Sequence, residues 1–210
     1  MASDVARHLS LVGDEPLAHF YDSLPGFFWF EEGYRRMLAT LPLDRPSRFV
    51  EIGSYQGKSA AYAGVEIFNR HIPCTLHCVD SWAAPNNEDN GAEIRVAFDR
   101  HTEPIAQALG ERFQVHALPS LDAARLFADG SLDVVWVDGD HEYPAVRADI
   151  LTWFPKLRPG GFMGGDDFCM KPVADAVIEQ FAPSGYILVH GWGTADGQMQ
   201  PWPSWIARKA

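Results

Sequence analysis

The sequence has no run of 18 apolar residues, so it holds no membrane-spanning helix of ordinary length and no membrane partner is expected. Its first 20 residues, MASDVARHLSLVGDEPLAHF, lack the apolar core of a signal peptide, and a cytoplasmic location is expected. Basic residues are scarce. Lys and Arg total 17 against 28 Asp and Glu, for a formal net charge of −11. Nucleic-acid binding relies on basic side chains to neutralise phosphates, so this balance argues against a nucleic-acid partner and reads as solubility. Only three cysteines are present, Cys74, Cys78 and Cys169, which fits reduced thiols rather than a disulfide framework. Cys74, His77 and Cys78 lie close together, but no second ligand pair follows at zinc spacing. They sit in a strand-like stretch and are read as structural.

What is present is an ordinary globular balance: 210 residues, 47% hydrophobic and 21% charged, enough for one domain with a real core. There are no internal repeats. Residues 17–41 read as a helical prelude interrupted at Pro25-Gly26. After Pro42 and Pro46 the pattern changes, placing a boundary between a prelude or lid, 1–46, and a main domain, 47–210. Short apolar runs then alternate with helical spacing. "RFVEIG", "CTLHCVD", "RFQVHAL", "LDVVWVD" and "GFMGGDDF" read as strands. "GKSAAYAGVEIFNRH", "SLDAARLFAD", "EYPAVRADILTWFPKL" and "KPVADAVIEQFA" read as helices, the third closed by Pro159-Gly160-Gly161. "GYILVHGW" and "PSWIARK" follow as two last strands. The expectation is an α/β, Rossmann-like, seven-stranded and mostly parallel sheet, with an antiparallel last strand and helices on both faces.

In such a sheet, ligands bind beyond the carboxyl ends of the strands. Acids recur at those ends: Glu51, Asp80, Asp138 with Asp140, and Asp166 with Asp167. The first strand leads into Gly53-Ser54-Tyr55-Gln56-Gly57-Lys58-Ser59, which is one residue short of a triphosphate-cradling loop. On that reading Lys58 would reach phosphates and Ser59 a magnesium ion, but Glu51 and Asp80 would put negative charge beside them. A dinucleotide loop needs a second glycine where Tyr55 stands. S-Adenosylmethionine carries no phosphate, and its sulfonium and ammonium groups favour nearby acids. Lys58 then has no ligand role, and its loss is expected to leave that cofactor's binding nearly intact.

Glu51-x-Gly53-x-x-x-Gly57 resembles the first motif of class I methyltransferases. "VDSW", "LPSLDAARLF", "SLDVVWVDGDHEYPAVRADILTWFPKLRPGGFMGGDDF" and "SWIARK" are similar to a family of small-molecule methyltransferases related to catechol and macrocin-type sugar O-methyltransferases. The resemblance covers about Ser47 to Lys209. It implies S-adenosylmethionine bound by Glu51, Gly53, Ser54, Tyr55, Gly57 and Ser59 at the first loop. It implies Asp80 on the ribose hydroxyls, Ser81 and Trp82 bordering the adenine, Asp138 nearby, and Ser120 either at the adenine edge or capping a helix. It also implies Mg²⁺ held by Asp138, Asp166 and Asp167, with hard oxygen ligands and open positions for a substrate.

Two residues qualify as the base that takes the acceptor's proton. His141 stands where catechol-type relatives carry a catalytic lysine, and Asp140 matches the base of sugar-modifying relatives; His141 is preferred for its near-neutral titration. The remaining histidines, His8, His19, His71, His101, His116 and His190, read as surface or packing residues. The polar stretch Ala83 to Glu93 is a candidate lid. Tyr21, Phe27, Phe28 and Trp29 fall where relatives cover the cofactor, although helix packing accounts for most of them. Trp192, Trp202 and Trp205 are candidate walls for an aromatic or sugar acceptor, with edge packing or a dimer contact as equal alternatives. The expected activity is methyl transfer to a hydroxyl of a sugar or phenol-like molecule, with Mg²⁺ assisting. The alternatives are an NTP-binding phosphotransferase or NTPase, and a non-catalytic cofactor-binding protein of the same fold. The sequence leaves room for a homo-oligomer.

Overall fold

The computed structural model describes residues 15–83, 91–184, 187–190 and 203–210. The main elements in chain order are α1 (Glu31–Ala39), β1 (Ser47–Ile52), α2 (Lys58–Asn69), β2 (Cys74–Asp80), α3 (Gly91–Leu109), β3 (Phe113–Ala117) and α4 (Ser120–Ala123). There follow β4 (Leu132–Val137), α5 (Tyr143–Trp153), β5 (Leu157–Gly165), α6 (Lys171–Phe181), β6 (Ile187–His190) and β7 (Ser204–Arg208). No helix among the described residues is long and apolar enough to cross a membrane.

The strands form one sheet in the order β3-β2-β1-β4-β5-β7-β6. Strands β1 to β5 pair in parallel, and β7 is antiparallel to both neighbours. The mostly parallel sheet with an antiparallel last strand is therefore present. The last two strands form an antiparallel pair at that end of the sheet, with β7 inserted between β5 and the edge strand β6.

Strand side chains alternate between faces, and the core divides accordingly. Phe49, Val134 and Trp136 pack with Tyr34, Leu38, Ala60, Ile67, Phe98 and Ile105 on one face, under α1, α2 and α3. Val50, Ile52, Val135 and Val137 pack with Val146, Ile150, Trp153, Val173 and Val177 on the other, under α5 and α6. After β1 the chain steps outward through β2 and β3, then jumps back to place β4 on the other side of β1. That reversal opens a crevice at the carboxyl ends of β1 and β4, the usual ligand position in open α/β sheets.

Three expectations are corrected here. The prelude is less helical than its pattern: residues 24–30 have no helix, and among the described residues before α1 there is only a short 3-10 turn, Tyr21–Ser23. Helix α3, the longest among the described residues, was hidden behind the polar stretch read as a lid, yet Ile94, Phe98, Thr102, Ile105 and Leu109 fall on one buried face. Pro159-Gly160-Gly161 does not close a helix. It lies inside β5, where the register against β4 shifts between Leu132 and Val134 and Gly161 fits tightly against the Leu132 and Asp133 carbonyls. Most of the candidate lid, together with His8, Trp192, Trp202 and the His190 side chain, lies outside the described residues.

Candidate active site

The first loop turns sharply between β1 and α2. Gly53 has φ +87°, and a Cβ built there would lie 1.9 Å from the Asp138 carbonyl oxygen. Gly57, the residue before α2, has φ +83°, and its Cβ would meet Thr102 Cγ2 at 2.7 Å. Only glycine fits either position. Tyr55 between them also adopts a left-handed conformation, φ 42°, an unusual state for a bulky residue.

Beneath this turn Glu51 is 1% exposed. Its carboxylate accepts hydrogen bonds from Tyr34 Oη, from Ser54 Oγ at 2.7 Å and from Ser59 Oγ at 2.5 Å. Burial pushes the Glu51 carboxyl upward, and the three hydroxyl donors pull the other way. Glu51, Ser54 and Ser59 are thus brought together, but their polar atoms serve one another. They tie β1, the loop, α2 and α1 into one unit.

Asp80, at the end of β2, accepts Tyr55 N–H on Oδ2 at 2.9 Å and Trp82 N–H on Oδ1 at 2.8 Å. Burial raises its carboxyl while those two amides and Arg95 stabilise the charge. A carboxylate offers about four acceptor positions, so two remain for a diol. The Trp82 indole N–H donates to the Tyr55 carbonyl at 2.9 Å, and the Arg95 guanidinium lies 4.4 Å from the Trp82 ring centre. Ser81 Oγ accepts the Ala83 N–H at 3.3 Å. Ser120 does not cap a helix with its side chain. It donates to Asp149 Oδ1 at 2.5 Å and accepts from the Trp153 indole at 2.8 Å, so its hydroxyl belongs to an α4–α5 network.

Across the crevice, at the ends of β4 and β5, the acids behave differently. Asp138, His141 and Asp167 each bring one ligand atom into a group within 4.8 Å of one another. His141 Nε2 lies 2.8 Å from Asp167 Oδ2 and 3.7 Å from Asp138 Oδ1. The Asp138 carboxylate first, and Asp167 second, raise the imidazole to about 10. Burial lifts Asp138 to about 6. Asp166 is 7% exposed, and burial plus the Asp138 and Asp167 charges lift it to about 8. Its Oδ1 is buried without a hydrogen-bond partner. Asp138, Asp140, His141 and Asp166 line one small cleft walled by Val137 and the buried Trp205.

The group that converges is therefore not the expected Asp138, Asp166 and Asp167. Asp166 and Asp167 follow each other at a strand end, where neighbouring side chains diverge, and Asp167 turns with φ 57°. His141 takes the third place. Two carboxylates, an imidazole and a third carboxyl with an unpartnered buried oxygen fit a divalent cation. The imidazole departs from the all-oxygen shell that magnesium prefers and also suits manganese, iron or zinc.

The same geometry bears on the triphosphate alternative. Lys58 Nζ donates to the Leu24 carbonyl at 3.0 Å and lies 3.4 Å from that of Gly26, so it is engaged by backbone rather than presented to a phosphate. Two contributors were missed in the sequence. Tyr34 supplies a donor to Glu51, and its only sequence signal is its place on the buried face of α1. His101 is 6% exposed, and its Nδ1 donates to the Gln56 carbonyl at 2.8 Å, pinning the loop from α3. Its spacing with Phe98, Thr102 and Ile105 marks a buried face and was available in the sequence.

A family model described as a methyltransferase domain matches residues 50–168, which contain the glycine turn, Asp80 and all four acids of the second cluster. An uncharacterised protein of Sinorhizobium fredii, y4gI, is 30% identical over 145 residues; the match covers 67% of this chain but only 15% of that much longer relative. Among solved structures, a Streptococcus mutans protein described as a methyltransferase and crystallised with S-adenosylhomocysteine superposes with a TM-score of 0.61 at 10% identity, over 89% of this chain and 100% of that one. An S-adenosylmethionine-dependent O-methyltransferase of Thermotoga maritima superposes with a TM-score of 0.57 at 11% identity, over 85% of this chain and 65% of that one. At these identities the structures share a fold with this chain.

Proposed function

The chain belongs to the methyltransferase-domain family, and from that premise we propose that it moves the methyl group of S-adenosylmethionine to a hydroxyl oxygen of a small molecule, with a divalent cation assisting. One observation carries this reading. The Cβ position of Gly53 lies 1.9 Å from the Asp138 carbonyl, so the cofactor turn and the acidic cluster share a wall. Methyl transfer needs donor and acceptor held in line at close range, and two adjoining sites at one switch point provide that.

The roles follow from the geometry. Gly53, Tyr55 and Gly57 let the backbone pass close to the cofactor. Asp80 takes the ribose diol on its remaining acceptor positions, and Ser81 and Trp82 border the adenine. Glu51, Ser54 and Ser59 act through the loop they rigidify. Asp138, His141 and Asp167 would hold the cation, with Asp166 beside them. When bound, the cation stabilises negative charge developing on the acceptor oxygen. His141 points into the carboxylates rather than outward. Asp140 is exposed and, among the described residues, accepts the Glu142 N–H at 2.8 Å on one oxygen, which leaves the other to take a proton. This reverses the sequence-based preference for His141 as base. The oxygen–methyl bond forms as the sulfonium–methyl bond breaks, the hydroxyl proton passes to Asp140, and S-adenosylhomocysteine leaves.

The test is production of S-adenosylhomocysteine from S-adenosylmethionine across a panel of phenols and sugars, with and without Mn²⁺ or Mg²⁺. Asp140→Asn should lower kcat by about 10²-fold or more, the usual contribution of a positioned base, with S-adenosylhomocysteine affinity unchanged. Calorimetry showing ATP binding and no S-adenosylhomocysteine binding would defeat the reading.

A further inference from the structure

Lys58 occupies a position that helix electrostatics disfavours. It is the first residue of α2, where backbone N–H groups already concentrate positive charge. The reason lies across the helix surface. Lys58, Tyr62, Glu66 and Asn69 recur at spacings of four, four and three, so they form one stripe along α2. Every member grips the segment that precedes α1. Asn69 holds Leu17 from both sides, accepting its N–H at 2.8 Å and donating to its carbonyl at 2.9 Å. Glu66 lies 3.0 Å from His19 Nε2, and the Tyr62 ring centre is 5.1 Å from those of Tyr21 and Phe28. Lys58 closes the series on the Leu24 and Gly26 carbonyls. Residues 17–26 thus form a strap running antiparallel along the whole of α2.

The two ends of this strap differ in what they touch. The Asn69 end is remote from the crevice. At the Lys58 end, Gly26 turns with φ +101°, and its Cβ position lies 3.8 Å from the Tyr55 ring. Tyr55 is the loop residue with the left-handed backbone, whose N–H binds Asp80 and whose carbonyl binds the Trp82 indole. Just beyond, Phe27 is 74% exposed and Trp29 53%.

We propose that Lys58 is a positioning residue that latches the strap onto the cofactor loop, holding Tyr55 in its unfavourable backbone state and thereby Asp80 and Trp82 in register for the nucleoside. This rests on the methyltransferase reading above. It replaces the expectation that Lys58 is dispensable for the cofactor.

The test uses the full chain and S-adenosylhomocysteine as the calorimetric probe. Lys58→Met keeps the aliphatic stem and removes the ammonium. It should weaken binding by about tenfold, with the midpoint of thermal unfolding within about 3 °C of the parent, the shift of roughly one ordinary interaction. Lys58→Arg, which can still donate to both carbonyls, should restore most of the affinity. Asn69→Ala, at the far end of the same strap, should change affinity less than about twofold while speeding amide exchange around residues 17–21. Equal affinity in Lys58→Met and the parent, or equal losses in Lys58→Met and Asn69→Ala, would overturn the latch. A parent chain that binds no S-adenosylhomocysteine would instead overturn the methyltransferase reading, and the latch's purpose with it.

Discussion

The two halves of the crevice are built on opposite plans. At the ends of β1 and β2 the acids are already partnered: Glu51 by three hydroxyls, Asp80 by two backbone amides. At the ends of β4 and β5 the acids crowd one another. Asp138 and Asp166 are pushed upward, an oxygen of Asp166 has no hydrogen-bond partner, and one imidazole stands between Asp138 and Asp167. Buried polar groups are normally satisfied, so a crowded, under-paired cluster beside a better-paired one points to a difference in task. The first half is a finished mould. On the proposed reading, the second would gain its missing charge balance from a bound cation.

The largest effect should come from the wall the halves share. Gly53→Val places a branched side chain where the Asp138 carbonyl stands, at a φ that valine avoids. Calorimetry should find S-adenosylhomocysteine affinity reduced by more than about a hundredfold, well over two steps of 1.4 kcal/mol. Retained binding would mean the turn is not the cofactor seat. Next comes Asp167→Ala, which should weaken Mn²⁺ binding by at least about tenfold while leaving S-adenosylhomocysteine affinity within about threefold. Equal damage to both ligands would erase the contrast between a mould and a charge sink.

The smallest effect lies outside both halves and tests whether acid sensitivity belongs to them. His77 packs against His116, with Nδ1 to Nε2 at 3.1 Å, and against Phe127. Burial first, then the positive charges of a protonated His116 and of Arg48, hold His77 down at about 4. Because its folded value lies below its ordinary 6.5, the stability it confers is complete above that pH and is lost as pH falls toward 4. Asp138 and Asp166 have the reverse sign, since raised carboxyls favour the folded state as pH falls. His77→Gln should therefore flatten the decline of the urea midpoint between about pH 7 and pH 4.5. An unchanged decline would move its origin elsewhere.

The sheet was legible because four of the five parallel strands, β1, β2, β4 and β5, are short apolar runs leading into an acid or glycine, a pattern that helices and loops rarely produce. The glycine turn was legible for a similar reason: Gly53 and Gly57 are needed at fixed positions, and sequence shows position. What the sequence hid was direction. Asp166 and Asp167 are neighbours in the chain, yet only Asp167 joins Asp138 and His141 in the group of converging ligand atoms. Ser120 sits at a helix start as a cap would, yet turns toward Asp149. Helix α3 was obscured because polar residues before it read as one long loop and because it carries Pro104, a residue that usually breaks helices. Pro159-Gly160-Gly161 carries the composition of a helix stop, although here it accommodates a bulged strand.

The contact between Gly53 and the Asp138 carbonyl has a thermodynamic consequence. Two ligands seated on either side of that wall, as the proposed function has them, would be coupled through it. Whatever factor the first imposes on the affinity of the second, the second must return to the first. Titrating the cation in the presence and absence of S-adenosylhomocysteine, and the reverse, should thus yield one number, and its departure from unity measures how stiff that wall is.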